Sequence, residues 1–460
     1  MNAIIIPQLQ DEQQTDVANS ERFVGTYQKQ ILYVPEWKRW LAWDGRRWLD
    51  DNGVSVLKLG KRYAKSLWDV FAAAAATDAN RDQLSLLRTF CKRTNQRAKI
   101  QDFITLAAAD ERVVCKSDEL NANPILLNCL NGTLNLETGQ LAKHDPSERI
   151  TQLAIVEYQP DAKCPEWLAA LDLIFDGDRH LVCYFQQLCG YMLSGLTTAH
   201  VMPIAYGSGC NGKSTVTNVL LGLLGDYGHT ANQDLILPTK QNPHPTERAQ
   251  LYQKRFVAIS ETPQDRWMDE SKMKSLTGGD EVNCRKNKED FWTFKPTHKF
   301  WMSTNHKPRI RGTDEGVWRR LKLIPFTVDV RKKTTPNPWL AEWLIANEGP
   351  GILAWAAQGF RDWLELGFTE PPAVTIATAD YRAAEDELAV WIEDNCIIED
   401  EAEERAERLY RAYAATGGKL TKTTFGTRLS ERFEKLKATS GPNRLKVVYR
   451  GIMLADGGLD

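Results

Sequence analysis

The chain has 460 residues, 42% of them hydrophobic and 26% charged, with a formal net charge of −2 and nine cysteines. That is an ordinary globular composition with room for two to four domains. It argues against a membrane span, since no apolar run nears about 18 residues and the longest, around Val70–Ala76, is short. Met1–Gln14 has no basic segment followed by an apolar core, so no signal peptide is expected. No cysteines are spaced C-x-x-C, which argues for reduced thiols and against a zinc site. A cytoplasmic protein with no membrane partner is expected. The near-neutral charge is a weak veto on nucleic acid, because bases can be concentrated locally.

Residues 1–20 are polar and read as a loose tail. Tyr33–Trp48 is rich in aromatics, and Asp44-Gly45 between alternating apolar residues signals a hairpin. Its tryptophans can stack on bases or pack a small sheet. Residues 58–120 are expected to be helical. The basic run Arg88, Lys92, Arg93, Arg97 and Lys99 there is a solvated face or a phosphate contact. Leu126–Gly139 reads as strand–turn–strand and 165–197 as helical, with Asp176-Gly-Asp178 as a loop turn rather than a metal pair. Together 21–197 form an N-terminal region, β-rich and then helical.

A nucleotide domain is expected over 198–335. Val201–Tyr206 reads as a buried strand running into Gly207-Ser-Gly-Cys-Asn-Gly-Lys-Ser-Thr215, which fits the phosphate-loop pattern G-x-x-x-x-G-K-[S/T]. Val216, Val219, Leu220, Leu223 and Leu224 then recur at helical spacing. The candidate ATP-binding residues are Gly207, Gly209, Cys210, Asn211, Gly212, Lys213, Ser214 and Thr215. Glycines let backbone N–H groups approach a triphosphate. Lys213 can reach the β- and γ-phosphates, and the Ser214 hydroxyl can hold Mg²⁺. Cys210 reads as a small tolerated residue rather than a redox switch.

Catalysis also needs a carboxylate. Arg255–Glu261 is a short strand ending in an acid, and in a parallel sheet the chemistry lies at the C-terminal strand ends. Glu261 is therefore the candidate base and metal-side acid. Two strand-like pieces, 281–285 and 291–294, flank the basic tip Lys286-Asn-Lys288. Such a point beside an ATPase suits nucleic-acid tracking by Arg285, Lys286 and Lys288, or is just an exposed hairpin. A third strand ends at Asn305, which can position water or sense a γ-phosphate. Arg319-Arg320 precede another apolar strand, and an arginine can stabilise a transferring phosphoryl group, including in a neighbour's site.

Residues 336–380 read as a Trp-rich helical extension broken at Pro371-Pro372. The remainder, 381–460, is acidic from Glu385 to Glu407 and basic from Arg411 to Arg450. Helices at 406–415 and 422–437 with closing strands over 444–454 suggest a helix-turn-helix with a wing. Its basic face is a solvated surface or a nonspecific phosphate grip.

The ordered train Gly207–Thr215, Phe256–Glu261, Lys274–Arg285 with Thr277-Gly-Gly-Asp280, Trp301–Asn305 and Gly316–Phe326 resembles the superfamily 3 helicases, specifically the phage and plasmid primase–helicase group that includes the poxvirus primase–helicase. The resemblance covers most of 100–460. It implies an α/β fold: an AAA+-like P-loop ATPase core, a helicase-associated N-terminal region and a winged-helix-like C-terminal domain. It further implies a hexameric, ATP- and Mg²⁺-dependent translocase on single-stranded DNA, moving 3′ to 5′, in phage or plasmid replication within a bacterial cytoplasm. Carried over by position, Asn305 is the sensor, Lys286 or Lys288 touches DNA, and Arg319 or Arg320 is the finger. One departure is that Glu261 is followed by Thr262 where some members have a second acid, so Glu261 serves both metal and water or Ser260 helps. No strand-borne carboxylate pair for nucleotide polymerisation is visible, so a separate primase partner is expected. An ATP-switched initiator or loader without processive unwinding, and a nucleotide-binding scaffold, are the alternatives.

Overall fold

The structure, a computed structural model, describes residues 14–77, 80–238, 245–260, 266–285, 291–310, 314–437 and 446–455. Helix α1 (Asp16–Tyr27) begins where the Thr15 side chain accepts the Ala18 N–H. Strands β1 (Ile31–Val34), β2 (Arg39–Trp43) and β3 (Trp48–Asp50) form an antiparallel sheet in that order. The Asp44 carboxylate accepts the Arg46 and Arg47 amides, and Gly45 sits at φ +102°, so this pair makes the turn. The aromatics pack the sheet. Tyr33 meets Trp40 at 5.1 Å, Trp43 meets Trp48 at 5.5 Å, and Trp48 is buried.

Helices α2 (Ser55–Ala75), α3 (Arg81–Thr94) and α4 (Arg97–Ala107) close on α1 around Phe23, Tyr63 and Phe103. The helical expectation for 58–120 fails after Ala107. There Asp110 accepts the Arg112 amide, and Tyr33 bonds Val113 and Cys115, drawing the segment against β1. Of the basic run, Lys99 is tied to Asp16 (2.7 Å) and Asp102 (3.1 Å), and the four arginines and lysines before it are exposed.

Strands β4 (Leu126–Cys129), β5 (Gly132–Asn135) and β6 (Leu141–Ala142) make a second antiparallel sheet. Helices α5 (Pro165–Ile174) and α6 (Arg179–Leu193) follow, and Asp178 caps α6 by accepting the Leu181 N–H.

The main sheet is assembled from β7 (Met202–Tyr206), β8 (Gly228–Ala231), β9 (Phe256–Ser260), β12 (Lys299–Thr304) and β13 (Leu321–Pro325). All pair in parallel, in the order β13-β7-β12-β9-β8. Along them lie α7 (Lys213–Leu224), α8 (Pro245–Ala249), α9 (Glu270–Thr277) and α10 (Glu315–Trp318), and β10 (Val282–Cys284) pairs with β11 (Trp292–Phe294) as an antiparallel hairpin. The inner strands β7 and β12 are buried nearly throughout, as strands covered on both faces must be, while the edge strand β8 is buried only at Ala231.

Helix α11 (Leu340–Leu366) runs along α6, and their approach requires Gly190, where a Cβ would come within 2.1 Å of the Phe360 nitrogen. Glu348 of α11 caps α5, accepting the Glu166 (3.0 Å) and Trp167 (2.9 Å) amides. Helix α12 (Pro372–Glu385) packs on β13.

The last part contains α13 (Glu387–Asn395), β14 (Cys396–Ile397), β15 (Glu403–Arg405), α14 (Ala406–Ala415), α15 (Lys422–Ser430), β16 (Glu434–Lys437), β17 (Val447–Arg450) and β18 (Met453–Leu454). Its sheet order is β15-β17-β16, over a core of Leu409, Tyr413, Phe425 and Leu429. The second helix, expected over 422–437, stops at Ser430. Residues 434–437 instead pair with β17, placing Leu436 opposite Val448.

Candidate nucleotide site

The phosphate-loop sequence occupies the turn from β7 into α7, at the C-terminal edge of the sheet. Its backbone conformation explains its glycines. Gly209 lies at φ +100° and Gly212, the residue before α7, at +86°. At Gly207 a Cβ would fall 2.0 Å from the Phe326 carbonyl. Cys210 takes the left-handed region without being glycine (φ +49°), and its carbonyl accepts the Val330 N–H. Asn211 is buried and clamps the loop to β13 by donating to the Phe326 carbonyl at 2.8 Å.

Lys213 and Asn305, 92 residues apart in sequence, meet here. The Lys213 ammonium donates to the carbonyl of Gly207 (2.6 Å), to Asn211 Oδ1 (2.9 Å) and to Asn305 Oδ1 (3.0 Å). Adjacent parallel strands bring this about, because β7 and β12 pair up to Tyr206 and Thr304, immediately before the loop and the amide. Behind them the Thr217 hydroxyl donates to the Lys213 carbonyl (2.8 Å), accepts from Trp301 Nε1 (2.9 Å) and lies 3.1 Å from Ser303 Oγ. Thr217 is one helical turn beyond Lys213, and Ser303 two residues before Asn305. That spacing was the available signal for this supporting layer, which motif reading passed over. Ser214 is exposed at the first turn of α7. An ammonium among polar oxygens, a helix N-terminus and a free hydroxyl fit a triphosphate with its Mg²⁺.

Beside the loop is a cavity of about 340 Å³, lined by Phe175, Asp178, Pro325, Thr327, Ile376 and Asp380. No loop residue lines it; the link to the loop is through Phe175, whose ring packs at 5.2 Å on Phe326, the residue whose carbonyl holds Asn211. Sequence reading missed it because three distant segments (α6 and its approach, β13, α12) assemble it.

Other candidates lie at the opposite edge. Arg319 and Arg320 immediately precede β13, and the Arg320 carbonyl accepts the Met202 N–H at the start of β7. They are thus separated from their own phosphate loop by the length of β7, about 13 Å. The two differ. Arg319 is exposed, while Arg320 is buried and donates to the Gly316 carbonyl. The Thr277-Gly-Gly-Asp280 segment gathers here too, since Lys274 of α9 pairs with Asp314 at the start of α10. Arg285 follows β10, its guanidinium 5.0 Å from the Phe291 ring. Glu261, Lys286 and Lys288 lie outside the described residues. No group of three or more potential metal ligands occurs among the described residues, and the cysteines are free thiols.

The same edge holds a second set of buried cations that sequence reading did not single out. Arg255, just before β9, donates to the carbonyls of Leu193 and Leu126, both at 2.6 Å, and lies 4.4 Å from the Tyr227 ring. Lys299, which begins β12, donates to the carbonyls of Ser194 and Thr297 and lies 5.1 Å from the Tyr191 ring. Burial and then the Arg255 charge push the Lys299 pKa well below the usual lysine value. Burial, followed by the Lys299 charge, lowers His298 to about 3.

Fold and site together define an α/β protein with a parallel sheet that carries a phosphate-loop sequence at its C-terminal edge. A model described as "D5 N terminal like" matches residues 20–176, and one for a family of unknown function, DUF5906, matches 205–320. The chain is 25% identical over 397 residues to L207/L206 of Acanthamoeba polyphaga mimivirus, named as a candidate helicase, covering 78% of this chain and 41% of that protein. It is 28% identical over 228 residues to C962R of African swine fever virus, named as a candidate primase, covering 47% and 24%. The chain therefore spans well under half the length of either relative. Among solved structures, the apo C-terminal region of NrS-1 superposes with a TM-score of 0.50 at 12% identity, covering 95% of this chain and 99% of that one, a likeness of fold. The chain is thus similar to viral proteins named for helicase and primase work. None of its helices, among the described residues, is long and apolar enough to cross a membrane.

Proposed function

We propose that this chain is an ATP-driven motor of the superfamily 3 helicase kind, acting as a ring, expected to be hexameric, on single-stranded DNA and moving 3′ to 5′ in phage or plasmid replication, with a separate primase as partner. The observation that carries the reading is the split across the sheet: Lys213 bonded to Asn305 at one edge, and Arg319 exposed at the other. A site of this kind is complete only when a second copy brings its arginine to the first copy's phosphates. The exposure of Arg319 beside a buried Arg320 supports Arg319 as the trans finger.

The sheet order, with the loop strand beside the Asn305 strand, supports an AAA+-like core. The helix, strand and sheet order from α13 to β18 supports a winged-helix-like end. Gly207–Thr215 would cradle ATP, and the purine would reach the cavity beside Phe175. Ser214 and Glu261 would hold Mg²⁺, which when bound neutralises phosphate charge. Asn305 would hold Lys213 towards the γ-phosphate and sense its loss. Arg285, Lys286 and Lys288 would follow the DNA backbone.

The test mixes two inactive variants. Lys213→Ala and Arg319→Ala should each abolish DNA-stimulated hydrolysis and displacement of a forked strand. Mixed subunits should regain turnover, because about a quarter of random interfaces pair an intact lysine with an intact arginine. Normal hydrolysis by Arg319→Ala, or no regain on mixing, would sink the shared-site reading. Hydrolysis without strand displacement by the unmodified chain would favour the loader.

A further inference from the structure

A second cavity, about 390 Å³ in volume, opens between α14, α15 and the β15-β17-β16 sheet. Its floor and wall are the rings of Tyr410, Phe425 and Tyr449; around it stand Lys422, Lys435 and Lys446. Tyr410 and Phe425 meet at 5.5 Å with planes 63° apart, forming a corner. The hydroxyls are turned inward, with Tyr449 donating to the Gly426 carbonyl (2.8 Å) and Tyr410 to that of Leu420 (3.4 Å). Phe425 and Tyr449 are buried, so what remains to a ligand is the part-exposed ring of Tyr410. Lys435 stands directly across from Tyr449 in the sheet register, so ammonium and ring share one face.

The charges around the cavity are used unequally. Four arginines of this unit are paired with acids: Arg408 with Glu404, Arg411 with Glu407, Arg432 with Asp386 and Arg450 with Glu403; Arg405 is a further cation lining the cavity. Glu407 is the acid at the cavity, and its carboxylate is held by Arg411. Lys422, Lys435 and Lys446 are exposed and have no ion-pair partner among the described residues. Three uncompensated ammonium groups round an aromatic corner match a phosphate joined to a flat ring. The volume lies at the small end of ligand pockets, which run from about 300 to 1,000 Å³, room for one nucleotide unit.

We infer that this cavity seats one unpaired nucleotide of a nucleic-acid strand. The base lies against Tyr410, and the flanking phosphates lie on Lys422, Lys435 and Lys446. A duplex offers only its phosphates here, because a stacked and paired base cannot enter the corner; single strands expose a face of every base. The site is independent of the nucleotide site and of hydrolysis.

The test uses the full chain without ATP and an oligothymidylate carrying 5-iodouracil. Irradiation should join the strand to Tyr410 or to the peptide holding Phe425, and equally in the Lys213→Ala variant, whatever that variant does to hydrolysis. Changing Lys422, Lys435 and Lys446 together to Glu should cut this crosslink at least about tenfold, and should lower the slope of log affinity against log salt by about 2. Changing all three to Arg should preserve both. Tyr410→Leu, which keeps apolar bulk in case the charge reversal unfolds the unit, should cut the crosslink about tenfold with an unchanged thermal midpoint. Three results would overturn the inference: crosslinks confined to other regions or indifferent to these changes, a hairpin duplex competing as well as the single strand, or thymidine monophosphate competing at equal nucleotide concentration, which would make this a pocket for free nucleotides.

Discussion

The two edges of the central sheet hold buried cations of the same kind and use them in opposite ways. At the C-terminal edge Lys213 lies at the end of a glycine-rich turn, next to an exposed Ser214 and the amide of Asn305. At the N-terminal edge Arg255 and Lys299 take the carbonyls of Leu193 and Ser194, at and just after the end of α6, where the helix dipole is negative. Arg255 also reaches Leu126, so the N-terminal region, α6 and the sheet share one fastening. Burial and perturbed ionisation are present at the lower edge without implying catalysis. The distinction lies in what each cation faces. One looks onto a loop able to admit an anion, while the others face helix-end carbonyls and aromatic rings.

If that contrast holds, replacing one cation from each edge should separate activity from stability. Lys213→Ala should lower ATP turnover by roughly 10³-fold, while its unfolding free energy falls by only about 1 kcal/mol, because the polar oxygens it leaves lie beside an exposed Ser214 where water can replace the lost donor. Lys299→Ala should do the reverse. It leaves the Ser194 and Thr297 carbonyls without this donor and opens a void, costing about 3 kcal/mol in denaturant unfolding. Turnover per folded molecule should be retained. Equal stability losses in the two variants would erase the comparison.

The pH dependence sharpens the description of the lower edge. His298 is buried, with its ring 5.0 Å from that of Phe300 and the Lys299 charge beside it. Its folded pKa of about 3 lies below the ordinary 6.5, so the unfolded chain takes up the proton first. The stability contribution of neutral His298 is therefore complete above about pH 6.5 and lost as pH falls towards 3. Between pH 7.5 and pH 5 the loss should be about 2 kcal/mol. His298→Asn should flatten that part of the profile; an unchanged slope would mean that other groups dominate it.

What could be read from the sequence divides along the same line. The loop conformation and the Asp44-Gly45 turn were legible because each is a local pattern set by neighbouring residues, and the strand leading to Asn305 was legible as a strand, though its contact with Lys213 is 92 residues distant. Arg255, His298 and Lys299 were not, since nothing nearby separates a buried Lys299 from an exposed one such as Lys435. The carbonyls that hold Arg255, and the Ser194 carbonyl that holds Lys299, are 62 to 129 residues away. The cavity beside Phe175 was hidden for the same reason. The two errors in element bounds are tertiary as well. Residues 434–437 fit a helix or a strand by pattern, and pairing with Val447–Arg450 decides for strand. After Ala107 the hydrogen bonds to Tyr33 do the same.

Thr217 offers the finest discrimination, because it supports the upper edge without being able to touch a phosphate through more than Lys213. Its hydroxyl joins the Lys213 carbonyl to Trp301 Nε1 and Ser303, so it fixes the first turn of α7 against β12. Thr217→Val keeps the shape and removes the hydroxyl. Trp301 retains Ser303 Oγ as an acceptor at 3.1 Å, so the stability cost should be only about 1 kcal/mol. The effect on function should be displaced rather than lost. A loosened Lys213–Asn305 contact should weaken binding of a fluorescent ATP analogue about fivefold, while turnover at saturating ATP changes by less than about twofold. A loss of saturated turnover as large as that of Lys213→Ala would move Thr217 into the reacting group itself. No change in either quantity would show that α7 is held to β12 by its apolar face alone.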